Sequence, residues 1–169
     1  MPVDTMRSIE CPLDAVAAEP LQLLLGYWRE LAGDGRFARF AELRPERFAQ
    51  ALTHVAVIER VPEADGKLRI RLCGGDIENR ETGYVRGGLL DAITPAWYRD
   101  HLLAAYRDAM ARAVPIHQRV EVEAGGRKCA YTRLILPLSS DGAACDMLIV
   151  GAVRPADRND YRLFQKANG

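Results

Sequence analysis

No stretch of this sequence stays apolar for long enough to cross a bilayer; Leu21 to Trp28 comes nearest and is broken by Gln22 and Gly26. The opening residues, Met1 to Glu10, contain no apolar core of the kind that directs secretion. The 169 residues carry no net charge, 23 lysines and arginines being matched by 23 aspartates and glutamates. No overall field therefore draws the molecule to nucleic acid or to an anionic membrane, and neither is expected as a partner. Cys11, Cys73, Cys129 and Cys145 are scattered, without the Cys-x-x-Cys spacing of a zinc ribbon or redox dithiol. Unpaired cysteines without an export signal predict a cytoplasmic protein with no structural metal. No Gly-Lys-Ser/Thr follows Gly83, Gly87 or Gly88, which excludes a phosphate-cradling loop. No Ser-His-Asp or Cys-His setting stands out by spacing, and no catalytic residue is assigned.

What is present is a sheet. From Ile116 to Val153 the chain reads as three consecutive antiparallel strands. Ile116, Gln118, Val120 and Val122 alternate with His117, Arg119, Glu121 and Glu123, the period of a half-buried strand. Gly125-Gly126 makes the first return and Ser139-Ser140-Asp141-Gly142 the second, before the apolar run from Met147 to Val153. Upstream, Val55, Val57 and Val61 mark another strand. The turn Glu63-Ala64-Asp65-Gly66 leads to a partner in which Leu68, Ile70 and Leu72 alternate with basic residues.

The remaining segments are helical or loose. Residues 1–18, with Pro2 and Pro12 and little periodicity, read as a flexible arm, and residues 155–169 as a charged C-terminal tail. Glu19-Pro20 opens a leading helix over 19–32, with Leu21, Leu24, Leu25 and Trp28 on one stripe and Gly33 as its stop. That stripe fits either packing on the chain's own sheet or pairing with its twin in a homodimer. Gly74 to Ile93 is a glycine-rich run of short turns. A long helix then runs from Thr94-Pro95 to Val114-Pro115, its inward stripe including Trp97, His101, Ala105, Tyr106 and Ala109. Helix, two strands, helical crossover and three strands describe an α+β domain over 19–154, its helices gathered on one face.

These features in this order resemble a PAS domain, and in particular small bacterial PAS-like proteins with little or no attached output module. The matching residues are Tyr27-Trp28 in the leading helix, Pro45 before the first strand, and Arg71-Leu72-Cys73-Gly74 closing the second. Ile77, Gly83, Gly87 and Leu90 follow in the crossover, and Leu136-Pro137-Leu138-Ser139 ends the fourth strand, so that the likeness spans roughly 26–153. The resemblance implies a five-stranded antiparallel sheet whose concave face, roofed by the crossover, can hold a small molecule, and it implies dimerisation. It names no ligand.

Several motifs bear on ligand and cofactor. Gly74-Gly75-Asp76 is similar to a diguanylate cyclase signature, but Ile77-Glu78 replaces the acidic and aromatic residues that should follow. A photoactive flavin site needs a crossover cysteine, where this chain has Glu78-Asn79-Arg80-Glu81-Thr82-Gly83. Haem-binding members carry an axial histidine on the long helix, and His101 sits there; its plain reading is a surface or core histidine, and no cofactor is expected. Arg71, Arg119, Tyr131 and Arg133 lie on strands and fit either an acidic ligand or cross-strand pairing with Glu59, Glu121 and Glu123. The candidate pocket is therefore Arg71, Trp97, His101, Ala105, Tyr131 and Arg133.

The expected function is a PAS-like sensory or regulatory domain, homodimeric, binding a small organic ligand or an unknown signalling partner protein. The alternatives are a small α+β enzyme with His101 or Asp76 as base, and a ligand-free interaction module.

Overall fold

In the computed structural model, which describes residues 3–33 and 36–154, six antiparallel strands form one sheet in the order β1-β4-β5-β6-β2-β3. The strands are β1 (Thr5–Cys11), β2 (Val55–Val61), β3 (Lys67–Cys73), β4 (Ile116–Ala124), β5 (Arg127–Leu138) and β6 (Met147–Val153). Two α-helices pack on it: α1 (Glu19–Ala32) and α2 (Ala96–Arg112). The α+β reading holds, and both hairpins after Ile116 fall where the glycines put them. Gly125 and Gly126 take φ of 57° and 76°, left-handed values that a two-residue return requires and that glycine adopts without strain.

The sixth strand corrects the N-terminal arm. Residues 5–11 are not a flexible lead-in; they pair with β4 from Thr5 opposite Glu123 to Cys11 opposite His117. An edge strand of this kind is held by backbone ladder bonds rather than by an apolar stripe. Met6 and Ser8 turn to one face and Thr5, Arg7 and Ile9 to the other, with little hydrophobic contrast between them. Asp4 caps the neighbouring hairpin by accepting from the Gly125 N–H at 3.0 Å. The tail expected over 155–169 lies outside the described residues.

The two helices take opposite faces, which corrects the expectation that the helices gather on one side of the sheet. On the first, Leu21, Leu24, Leu25 and Tyr27 of α1 are buried against Val57, Leu134, Leu136 and Ile149. Trp28 donates its indole N–H to the Pro137 carbonyl at 2.7 Å. The apolar stripe of the leading helix is thus covered by the chain's own sheet and is not left open for a twin. Pro45–His54 is 3-10 rather than α-helical, kinked at Phe48, and packs beside α1. On the other face, Leu102, Tyr106, Ala109 and Met110 of α2 cover Ala56, Ile58, Ile70, Ile116, Ile135 and Leu148. No described helix is long and apolar enough to cross a membrane.

Candidate functional site

Strand register decides which side chains meet beneath α2. Gln118 lies opposite Arg133, Val120 opposite Tyr131 and Val122 opposite Cys129. Alternation then places all six on the α2 face, in one row with Ile116 and Ile135. Packing along this row is incomplete. Ile77 and Tyr84 of the crossover, Tyr98, Leu102 and Tyr106 of α2, and Tyr131, Arg133, Val150 and Ala152 of the sheet surround a cavity of about 50 Å³. A wider, open depression of about 660 Å³ lies on the α1 face, lined by Phe40, Phe48, Leu52 and Leu72 among others.

Arg133 is the unusual member. It is 1% exposed, yet no carboxylate pairs with it among the described residues. Its Nε and Nη2 donate to Gln118 Oε1 at 3.0 and 2.7 Å, and Nη2 also donates to His101 Nε2 at 3.2 Å. Arginine has no acceptor, so Nε2 presents its lone pair and the ring is neutral. Nη1 has no hydrogen-bond partner among the described residues. The Tyr131 hydroxyl is within the guanidinium's influence, but in a contact looser than a regular hydrogen bond. The guanidinium, a cation by its chemistry, is thus buried and held by neutral groups.

The phenols around it are donors. Burial pushes the Tyr84 and Tyr98 hydroxyls well above the ordinary tyrosine range and Tyr106 to about 12. Tyr131 is also raised, by burial, with the Arg133 charge pulling the other way. The Tyr84 and Tyr106 hydroxyls bond each other at 2.8 Å. One O–H serves that bond, and the other is left to point elsewhere.

His101 has its pKa lowered to about 4, first by burial and then by the Arg133 charge, while a backbone hydrogen bond with Met6 opposes the shift. Because the folded value lies below the ordinary 6.5, the unfolded chain binds the proton first as pH falls. The stabilisation is complete above about pH 6.5, declines between there and about pH 4, and is gone below. Partial solvent screening of this half-buried ring reduces the effect to about 1–2 kcal/mol. Urea midpoints at pH 7 and 4.5 should fall further in the wild type than in His101→Gln; equal losses would mean that the imidazole titrates normally.

The predicted pocket residues separate. Tyr131 and Arg133 line the cavity, and His101 touches it through Arg133. Trp97 instead packs against Val120, Val122 and Ala124, and Ala105 contributes to the α2 core without lining the cavity. Arg71 is on the opposite face, bonded to Glu59 at 3.0 Å and stacked 4.4 Å over the Phe40 ring. Alternation with Leu68 and Ile70, which face α2, puts it there. Arg119 pairs with Glu121 at 3.4 Å on the exposed side. His117, whose position suggests a strand surface, is buried, with Nδ1 2.8 Å from the Pro12 carbonyl. Asp76 and His54 pair at 3.6 Å, away from the cavity. Cys73 is a protonated thiol, its pKa raised to about 12 by burial and the Glu78 charge.

Sequence reasoning missed Gln118, Tyr84 and Tyr98 as site residues. Gln118 carried a signal, a polar side chain in an otherwise apolar alternating row. Tyr84 carried none, since a glycine-rich crossover has no period to read.

A helical crossover roofing the concave side of an antiparallel sheet, over a cavity with converging polar groups, defines a sensory or regulatory module. The PAS domain family matches residues 16–153, and the chain belongs to that family. No curated protein matches the chain. One similar solved structure, titled as that of an RNA-binding Light-Oxygen-Voltage receptor, aligns at 16% identity and a TM-score of 0.42, over 99% of this chain and 43% of its own. The chain thus spans less than half the length of that protein. RNA binding is said there of that receptor itself; the expectation that nucleic acid is excluded as a partner of this chain is nonetheless not kept. Charge balance over a whole chain was its only basis, and local patches decide such contacts.

Proposed function

We propose that this domain works as a small-molecule sensor without chemistry of its own, its signal being occupancy of the cavity beneath α2. The observation that supports this reading is the converging set of Arg133, Tyr84, Tyr106 and Tyr131 around unfilled space. Protein interiors are ordinarily packed to the density of organic crystals, and buried polar groups ordinarily find partners. An enzyme reading would gain from a histidine–carboxylate pair in the cavity; His101 meets a guanidinium instead. Haem does not fit the same residues, because the His101 lone pair is spent on Arg133 and the space is far smaller than a macrocycle. The ligand would act by population shift, favouring one packing of α2 over β4 and β1. Output to a partner protein, action in the cytoplasm and homodimerisation belong to the same proposal, with the dimer using surfaces other than the covered stripe of α1.

Ala152→Leu tests the reading directly. Ala152 lines the cavity and lies opposite Arg133 across the β5–β6 ladder, so the larger side chain grows into the space. The variant is expected to stay folded and to lose whatever small molecule native mass spectrometry detects on the wild type purified from its own host. Retention of that ligand by a folded Ala152→Leu protein would place the binding site elsewhere.

A further inference from the structure

We infer that the cavity takes a small monocarboxylate, its head group meeting Arg133 and its short apolar tail the wall formed by Leu102 and Val150; this rests on the sensor reading above and names the ligand class.

Arg133 stands apart from the other strand arginines of this sheet. Arg71 and Arg69 share Glu59, and Arg7 and Arg119 share Glu121, while Arg60 and Arg127, for which no ion pair is formed among the described residues, are exposed to water. Arg133, the most deeply buried, has neither recourse. Its acceptors are a carboxamide and a neutral imidazole, which hold the guanidinium in place and leave its charge uncompensated. A buried charge without a counter-ion is costly, and an anion entering from outside relieves that cost. Nη1 makes no regular hydrogen bond among the described residues, its looser contact with the Tyr131 hydroxyl aside.

The donor inventory points the same way. The Tyr84–Tyr106 pair has one O–H beyond its mutual bond, and both side chains are fully buried cavity walls. Among the described lining residues the only charged side chains are Arg133 and Arg154, both positive, and none is a carboxylate. Guanidinium N–H plus phenol O–H, with no acidic group opposite, suits an ion that only accepts. Size sets the rest. At roughly 10–15 Å³ of such space for each water, about 50 Å³ holds some four water-sized groups, the bulk of a two- to four-carbon acid. The aliphatic wall favours an acid with a carbon tail over chloride or nitrate.

The test uses the whole protein with acetate, propionate and butyrate as probes, each against its neutral amide, at constant ionic strength made up with sodium chloride. Calorimetry and thermal shift should report saturable binding of the acids. The best acid should bind about 30-fold more tightly than its amide, as expected for one charge-assisted hydrogen bond. Arg133→Met should abolish that preference. Tyr106→Phe, which leaves the guanidinium intact, should weaken the acid about 5- to 10-fold and the amide less. It keeps the proposal testable even if Arg133→Met misfolds. Equal binding of acid and amide, or an acid preference that survives in folded Arg133→Met, would overturn the carboxylate assignment while leaving the sensor reading intact. Failure of every acid and every amide to bind would overturn the assignment and remove the support the cavity gives to sensing.

Discussion

Gly74→Ala is expected to lower stability by about 3 kcal/mol, although it adds a single methyl group. A Cβ at this position would lie 2.4 Å from the Thr53 carbonyl oxygen and 2.5 Å from that of Leu52. Neither atom can swing aside, because both belong to the backbone of the 3-10 segment that leads into β2. Gly74 is also fastened in place: its N–H donates to the Val55 carbonyl at 2.8 Å, and its own carbonyl accepts from Ile77 and Glu78. Relief of the clash therefore means separating β3 from the 3-10 segment, with loss of those bonds. Gly75→Ala is the matched control. Its Cβ would meet nothing within 4 Å, so the same chemical change one residue later should cost little. Urea denaturation of both variants decides the matter; coincident midpoints would mean that the close approach is absent in solution.

Leu24→Asp should be more damaging still, with a loss of about 4 kcal/mol or more and accumulation as insoluble protein. Leu24 is fully buried in α1, and its Cδ2 lies 3.0 Å from where a Cβ on Gly151 would sit. A carboxylate there has no cation to pair with among the surrounding apolar side chains. The neighbouring Leu23 is 36% exposed, and Leu23→Asp should be tolerated. The pair separates two roles for the helix. If the stripe were the seam between two copies, Leu24→Asp would yield a folded monomer. Covered by its own sheet, it should give an unfolded chain at every protein concentration, which analytical ultracentrifugation with circular dichroism will distinguish.

The strands after Ile116 were legible because alternation and glycine returns agree there, and agreement between local signals makes a sequence readable. The edge strand at residues 5–11 was not, because its pairing is a backbone matter and Thr5 to Cys11 has little amphipathic contrast. Among the pocket residues, Arg71 and Arg133 look alike in sequence: each is a basic residue followed by a leucine on a strand. Alternation with Leu68 and Ile70, which face α2, sends the first to the α1 face, and an unbroken ladder with β4 keeps the second beneath α2. One residue of register separates an exposed ion pair from a buried charge, and register depends on partner strands far away in the chain. Trp97 illustrates a further limit. Its helical stripe is real, but α2 crosses the sheet so that its first turn rests on β4 beyond the cavity. Crossing position is a property of packing, which spacing along one helix does not contain.

Strand β6 separates the two helices by the thickness of one backbone. Val150 and Ala152 form part of the wall beneath α2, while Gly151 between them carries no side chain and receives the methyl groups of Leu21 and Leu24 from α1. The seat of one helix and the wall of the cavity are therefore the same three residues, seen from opposite sides, and a close-packed interior has little slack in which to absorb a displacement. The strand behaves as a diaphragm: pressure on one surface is movement on the other, and no hinge or relay is needed to carry it across.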